Sequence, residues 1–238
     1  MRILFEGEKQ LVNNKRDDSF MARFTVTLKM TWHYLLVLAG VFVLLWFTVP
    51  ILTPLPAVLF LFVLFFFRNP KRNSPSDPGL FLSPADGTVM EIVETQEDRF
   101  VKGDTIRVAI FLSVFNVHIN RSPLAGEVKY SYYRPGKFIP AFKSHASEIN
   151  EKNFIGIEGN GVKVMVCQIT GFIARRINCW VQEGSTLSAG DYLGVIRFGS
   201  ASELFLPPGT EILVKKGDSV KAGETIIGVL PEELRNKG

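Results

Sequence analysis

The sequence predicts a mainly β soluble domain that follows an α-helical membrane hairpin near the N-terminus. Residues 34–67 contain no charged side chain. Beyond residue 80, short apolar runs alternate with clusters of Gly, Pro, Asn and Asp, which is typical of many short strands. Two segments of this second part each occur twice, and repeated units of hairpin length favour a sandwich of β-sheets.

The membrane hairpin is predicted from the length of the uncharged run and from its prolines. The run exceeds the about 20 residues that one helix needs to cross a bilayer, and Pro50, Pro54 and Pro56 divide it. Because proline blocks helix continuation, we predict two apolar helices joined near residues 50–56. The second part is short, so a hairpin embedded in one leaflet is an alternative to a spanning one. A hairpin buried in a protein core is a third interpretation.

Basic residues flank the uncharged run on both sides. Since the cytoplasmic flanks of membrane helices carry an excess of Lys and Arg, both ends are predicted to lie on the cytoplasmic side of the cell membrane. The flanking residues are Lys15, Arg16, Arg23, Lys29, Arg68, Lys71 and Arg72. The net charge of +4 is spread without a long basic run, which favours a membrane surface over nucleic acid as a partner.

The chain is predicted to contain three regions. Residues 1–33 form a basic amphipathic segment, residues 34–67 the hydrophobic membrane hairpin, and residues 68–238 the soluble domain. The polar, proline-rich stretch "NSPSDPG" at residues 73–79 is typical of a linker.

Short apolar runs and internal repeats predict the architecture of the soluble domain. The runs "IRVAIFL" (106–112), "VKVMVCQI" (162–169) and "YLGVIRF" (192–198) are predicted strands. "SPADGTV" at 83–89 recurs as "SPLAGEV" at 122–128.

The second repeat is longer. "VQEGSTLSAGDYLGV" at 181–195 recurs as "VKKGDSVKAGETIIGV" at 214–229. These two units resemble the turns of barrel-sandwich domains, so we expect a barrel-sandwich-like fold.

Three polar residues have the composition of a nucleophile, a base and an orienting carboxylate: Ser200, His118 and Asp86. Gly199 leaves its own carbonyl unshielded and Ser200 carries a hydroxyl just beyond it, so this peptide bond could be attacked by its own chain; a bulge or tight bend is the alternative. Asp86 corresponds to Ala125 in the repeated turn, so the turn itself does not require a carboxylate. An Asx-turn is the alternative role for Asp86.

Two further features are candidates for substrate binding. Arg175 and Arg176 are adjacent, so in a strand at most one would face a pocket that holds phosphate or carboxylate; a solvated or ion-paired face is the alternative. Residues 134–153 are polar and turn-rich, which indicates a functional loop or lid. Cys167 and Cys179 form no metal-type cluster, so no metal site is predicted and both are interpreted as ordinary interior cysteines.

Six motifs occur in a fixed order after the apolar segment. They are "SPADG", "FNVHINRSPLAGEV", "YYRPGKF", "SEINEKN", "QITGFIARRI" and "FGS". Together they resemble the phosphatidylserine decarboxylases, specifically the short form of that family. The resemblance extends from about Arg68 to the C-terminus.

The resemblance implies a proenzyme that cleaves itself between Gly199 and Ser200. Ser200 would attack the Gly199 carbonyl to give an ester, and β-elimination followed by hydrolysis would leave a pyruvoyl group in place of Ser200. In the family pattern the Asp, His and Ser of these motifs form the self-processing triad, which here are Asp86, His118 and Ser200. The two chains, residues 1–199 and 200–238, would form a heterodimer.

The resemblance also implies the reaction. The pyruvoyl cofactor would form a Schiff base with the serine amine of phosphatidylserine and act as an electron sink, so that CO2 is lost and phosphatidylethanolamine is released. His118 is a hypothesis for the proton donor, and Arg175 and Arg176 are hypotheses for head-group contacts. Such an enzyme serves phospholipid biosynthesis at the membrane.

The chain departs from the family pattern at one position beside the proposed cut. Many relatives have Thr or Ser where this chain has Ala201, so a role for a hydroxyl there is absent or taken by Ser202. We expect cleavage nevertheless, since the nucleophile and the attacked carbonyl are unchanged. The short form also includes enzymes that act on archaetidylserine, so the lipid tails stay open.

Two other functions fit parts of the sequence. One is a membrane-anchored barrel-sandwich adaptor without catalysis, in which residues 199 and 200 form only a bend. The other is a family member that folds without maturing. Self-cleavage separates both from an active decarboxylase.

Overall fold

A computed structural model describes residues 19–137, 149–171, 177–196 and 200–231. The chain divides into two compact units, and the division falls between Lys71 and Arg72. The first unit is helical and the second is built from β-strands. Arg175, Arg176 and Gly199 lie outside the described residues.

The helical unit is a hairpin. Helix α1 (Phe20–Thr48) is capped by Ser19, whose hydroxyl accepts a hydrogen bond from the Ala22 N–H. A short 3-10 turn (Pro50–Leu52) follows, and then helix α2 (Pro54–Phe66), which contacts α1. The prolines therefore interrupt the helix where the sequence predicts. Helix α1 also passes the predicted boundary after residue 33 without a break, because no proline or glycine occurs between residues 20 and 33.

The two helices differ in length relative to the thickness of a bilayer. Among the described residues, α1 is the one helix long and apolar enough to cross a membrane. Helix α2 has 13 residues, which corresponds to a rise of about 20 Å. The hydrocarbon core of a bilayer is about 30 Å thick, so α2 is too short to cross it in the same way.

The second unit contains fourteen described strands. In chain order they are β1 (Leu80–Leu82), β2 (Gly87–Glu97), β3 (Gly103–Leu112), β4 (Ile119–Arg121), β5 (Gly126–Arg134), β6 (Lys152–Gly159), β7 (Val162–Thr170), β8 (Ile177–Cys179), β9 (Thr186–Leu187), β10 (Tyr192–Ile196), β11 (Ser200–Leu206), β12 (Glu211–Ile212), β13 (Ser219–Val220) and β14 (Ile226–Val229). The three apolar runs predicted as strands correspond to β3, β7 and β10. The prediction of a mainly β domain with a helical hairpin before it is confirmed.

The strands form one large sheet and two small ones. The large sheet has eight strands in the order β13-β2-β3-β11-β7-β6-β5-β9. The small sheets are β1-β14-β12 and β4-β10-β8. Neighbouring strands pair antiparallel, and β11 lies between β3 and β7 near the middle of the large sheet. This arrangement of layers is barrel-sandwich-like, as predicted.

The first sequence repeat forms the same turn twice. The Ser83 hydroxyl donates to the Ala85 carbonyl at 2.7 Å, and the Ser122 hydroxyl donates to the Leu124 carbonyl at the same distance. Each turn leads into a long strand of the large sheet. The repeat in the sequence therefore corresponds to a repeat in the structure.

The second repeat connects the sheets. The strands within each copy do not pair with each other, as a simple hairpin would. Instead β9 and β13 pair with β5 and β2 at the two edges of the large sheet, whereas β10 and β14 join the small sheets. Each copy thus ties one edge of the large sheet to one small sheet.

Strand β11 separates two apolar clusters. Successive side chains of a strand point to opposite faces. Leu204 and Leu206 belong to the main core, whereas Ala201 and Phe205 pack with Met165 and other residues on the other side. Ser200 and Ser202 consequently lie on the face of the main core.

Candidate active site

Ser200 is the first residue of β11 and lies where three central strands meet. It pairs with Leu112, the last residue of β3, and with Thr170, the last residue of β7. The residue is fully buried, and its hydroxyl makes no hydrogen bond with the described part of the chain. Buried hydroxyls are normally satisfied, so Ser200 is a candidate for chemistry and not for structural support.

His118 is positioned by a tight turn after β3. The Asn116 side-chain oxygen accepts hydrogen bonds from the Ser113 N–H (2.8 Å) and the Ser113 hydroxyl (2.7 Å). The Asn116 carbonyl then lies 3.0 Å from His118 Nδ1. A carbonyl oxygen can only accept, so Nδ1 carries the proton, and in the neutral ring Nε2 is the basic nitrogen. His118 is therefore oriented as a base through Nε2.

The backbone brings His118 and Ser200 to the same end of the large sheet. The Ile196 N–H donates to the His118 carbonyl at 3.2 Å. Ser200 follows Ile196 by four residues. At about 3.5 Å per residue, the Cα atoms of Ile196 and Ser200 are therefore at most about 14 Å apart. The turn that holds His118 also starts directly after Leu112, the partner of Ser200.

Asp86 is bound by a different set of groups. Its two carboxylate oxygens accept hydrogen bonds from Arg72 Nη2 at 2.9 and 2.7 Å, and Oδ1 also accepts from the Ala222 N–H at 2.8 Å. Among the described residues, His118 is not one of its hydrogen-bond partners. Nor does the carboxylate cap its own turn, which excludes the Asx-turn interpretation for the described structure.

Arg72 joins Asp86 to a second carboxylate. Its Nη1 donates to Glu224 Oε2 at 3.1 Å, and Glu224 Oε1 accepts from the Asn73 N–H at 3.1 Å. Burial acts to raise the pKa of Glu224, but the hydrogen bonds from Asn73 and Arg72 outweigh it and lower this pKa below its ordinary value. From the sequence alone, Arg72 is one of the basic residues that flank the apolar run.

A chain of buried amides connects the turn of Asp86 to the strands beside Ser200. Asn120 Nδ2 donates to the Pro84 carbonyl (3.1 Å), and Gln168 Nε2 donates to Asn120 Oδ1 (2.8 Å). Asn153 Nδ2 completes the chain by donating to Gln168 Oε1 at 2.9 Å. Gln168 is the cross-strand neighbour of Ser202. Sequence reasoning missed these three amides, although a glutamine within the apolar run "VKVMVCQI" was a signal.

The predicted lid at residues 134–153 is wrong at its C-terminal end. Residues 138–148, which include His145, lie outside the described residues, but Asn150 is buried and its amide donates to the Thr170 carbonyl at 2.7 Å. Lys152 and Asn153 begin β6 and are also buried. These polar residues are internal because partners distant in sequence satisfy them, which local polarity does not indicate.

The opposite face of β11 carries charges instead of hydroxyls. Ala201 points away from the face of Ser200, so position 201 is not placed to provide a hydroxyl there. Two residues further on, buried Glu203 forms ion pairs with Arg107 (3.1 Å) and Lys152 (3.6 Å). Ser202 is on the face of Ser200, and its buried hydroxyl has no hydrogen-bond partner in the described structure.

Comparison with known proteins gives a consistent set of matches. A family model described as phosphatidylserine decarboxylase matches residues 59–228. The "Phosphatidylserine decarboxylase proenzyme" of Carboxydothermus hydrogenoformans is 55% identical over 72% of this chain and 81% of its own length. The proteins of the same name from Symbiobacterium thermophilum and Syntrophus aciditrophicus are 47% and 42% identical. They cover 84% and 90% of this chain, and 94% and 99% of their own lengths.

Proposed function

Because the chain belongs to the phosphatidylserine decarboxylase family, we propose that it converts phosphatidylserine into phosphatidylethanolamine and CO2 at a membrane surface. The observation that carries this proposal is the family match over residues 59–228, which contains the whole β-strand unit through most of β14. The buried hydroxyl of Ser200, which has no hydrogen-bond partner among the described residues, supports it on physical grounds.

Maturation begins with an attack by Ser200. Its hydroxyl oxygen adds to the Gly199 carbonyl and the peptide C–N bond breaks, so the peptide bond becomes an ester and residue 200 gains a free amine. β-Elimination then releases the chain that ends at Gly199 as a carboxylate and leaves dehydroalanine, and water hydrolyses its imine form to the pyruvoyl ketone with loss of ammonia. His118 Nε2 takes the proton of the hydroxyl, since the Asn116 carbonyl keeps the other ring nitrogen protonated. The word "proenzyme" in the names of the relatives is consistent with this step.

The resulting cofactor is a pyruvoyl group at position 200. The conversion removes the Ser200 hydroxyl. This loss breaks no hydrogen bond in the described structure, because the hydroxyl makes none there. The pyruvoyl ketone, conjugated with an amide, supplies an electron sink for decarboxylation. We assign to His118 the return of a proton to the product, and to Arg175 and Arg176 contacts with the lipid head group.

Asp86 is proposed as the third member of the self-processing triad. Its position is defined by Arg72 and by the Ala222 N–H, so its negative charge is fixed at the turn that the amide chain connects to β7. A buried carboxylate without such partners would be strongly disfavoured.

The membrane association follows from helix α1. This helix is long and apolar enough to cross a bilayer, and the short α2 favours a second limb that is embedded and does not span. The basic residues on both sides of the apolar run favour the cytoplasmic side for the catalytic domain. The substrate then stays in the bilayer during the reaction.

The decisive functional test is lipid turnover by matched serine variants. Purified protein in detergent is given phosphatidylserine, and phosphatidylethanolamine is measured by mass spectrometry. The wild type and Ser202→Ala are expected to form product, whereas Ser200→Ala is expected to form none. Ser202→Ala removes a hydroxyl that is also buried, on the same face and without a hydrogen-bond partner in the described structure, but position 202 does not adjoin the Gly199 carbonyl. Product from this variant would show that Ser202 supplies neither the nucleophile nor a required cleavage hydroxyl. Product from Ser200→Ala, or none from the wild type, would reject the proposal.

A further inference from the structure

We infer that Arg72 is a positioning residue for self-cleavage, which acts by holding the carboxylate of Asp86. The inference rests on the proposed function, since it assigns to Arg72 a part in the maturation of the same site. Arg72 does not contact Ser200 or the lipid in this account. It fixes the place and the orientation of the Asp86 carboxylate.

The contacts of Arg72 define a bridge between two carboxylates. One terminal nitrogen, Nη2, contacts both oxygens of Asp86, and the other, Nη1, contacts Glu224. The side chains of Arg72 and Asp86 are only 6% and 11% exposed. A buried carboxylate without partners is strongly disfavoured, so Asp86 depends on Arg72 as a hydrogen-bond partner that sets its orientation.

The repeated turn shows that this bridge is not needed to build the turn. The second copy has Ala125 at the position of Asp86, yet its serine makes the same bond to the backbone. The backbone contacts also match, because the Gly223 N–H donates to the Ser83 carbonyl and the Gly190 N–H donates to the Ser122 carbonyl, both at 2.8 Å. The carboxylate and its arginine are therefore an addition to one copy, and this copy is connected to β7 through Asn120 and Gln168.

The bridge also joins the two products of cleavage. Arg72 and Asp86 precede the cut, whereas Ala222 and Glu224 follow it. The position of Asp86 thus depends on the segment that becomes the smaller chain. Self-cleavage should proceed only after this C-terminal segment has folded onto the rest of the domain.

The experiment measures the rate of self-cleavage of freshly synthesised chain by gel and intact mass. Arg72→Met is expected to cleave at least about tenfold more slowly than the wild type, because a displaced catalytic group costs about this much or more. Methylguanidinium added to Arg72→Met is expected to restore part of the rate by occupying the vacated place. Arg72→Lys keeps the charge but cannot reach both carboxylates in the same way. Its cleavage rate is expected to lie between the rates of the wild type and of Arg72→Met.

Arg107→Met is the matched control. Arg107 also bridges two carboxylates, Glu91 at 2.6 Å and Glu203 at 3.1 Å, but on the face of β11 opposite Ser200. It is expected to cleave at the wild-type rate. This control separates the loss of an arginine that bridges two carboxylates from the loss of the contact to Asp86.

The outcomes distinguish this inference from the proposed function. The inference is overturned if Arg72→Met cleaves at a rate within twofold of the wild-type rate. It is also overturned if Arg72→Met folds and cleaves slowly, but methylguanidinium does not increase its rate. If Arg72→Met does not fold by circular dichroism, Arg72→Lys decides: slower cleavage by a folded chain supports the inference, and the wild-type rate overturns it. A wild-type chain that never cleaves would instead reject the proposed function.

Discussion

Ser200 occupies a position where serine is usually satisfied by hydrogen bonds. Ser200 begins a central strand of the large sheet, at the end of the sheet where His118 also lies. Its hydroxyl has no hydrogen-bond partner in the described structure. An unsatisfied buried hydroxyl costs about 1–3 kcal/mol, so the fold retains a cost at this residue. Such costs persist at sites where the group is used.

Cys167 allows a prediction about pH. Burial raises the pKa of its thiol from 9.0 to about 12, so the folded protein keeps the proton that the unfolded chain loses near pH 9. Unfolding is then favoured as the pH rises between 9 and 12, by up to about 1.4 kcal/mol per pH unit. Denaturant unfolding in detergent should show a smaller loss of stability over this range for Cys167→Ala than for the wild type. Equal slopes for both proteins would contradict this.

The sequence points to Ser200, His118 and Asp86 as site candidates, but it does not indicate that Arg72 is the partner of Asp86. Arg72 is close to Asp86 in sequence, whereas its other partner Glu224 is 152 residues away. Ion pairs of this kind depend on how distant segments meet, and no local pattern encodes that. A basic residue after an apolar run was instead explained by the membrane.

The elements were predicted best where apolar runs are continuous. Strands β3, β7 and β10 follow such runs, and the prolines mark the turn of the helical hairpin. The start of β6 was missed because Lys152 and Asn153 are polar. Their burial is stabilised by Glu203 and Gln168, which come from neighbouring strands.

The glycine that begins β2 gives a test of the sheet packing. A Cβ at Gly87 would overlap the Phe111 carbonyl and come close to the Ile110 side chain, whereas a Cβ at Gly103 would meet no atom within 4 Å. Gly87→Ala is expected to lower the free energy of unfolding by about 1–3 kcal/mol, and Gly103→Ala to change it little. Denaturant titration of both variants in the Ser200→Ala background measures this. Equal effects would show that the described packing of β2 on β3 is incorrect.

The proposed cut would leave two chains whose strands belong to the same sheets. The segment after residue 199 supplies β11 between β3 and β7, β13 beside β2, and β14 beside β1. All seven residues of β11 are buried. Three strands of the smaller chain therefore make four pairings with strands of the larger one.

This arrangement predicts that the two chains stay together after cleavage. They should co-elute from a size-exclusion column in mild detergent and separate only in denaturant, because release of the smaller chain would expose the main core. Loss of the smaller chain under native conditions would contradict the described topology.

The central claim is that the chain cuts itself at Ser200 and converts this residue. The most direct measurement is the intact mass of the purified protein beside its Ser200→Ala variant. We expect two chains for the wild type, residues 1–199 and 200–238, and a single uncut chain for the variant. The mass of the smaller wild-type chain should show pyruvoyl in place of serine. A single uncut chain in both proteins, or a smaller chain that begins with unmodified serine, would contradict it.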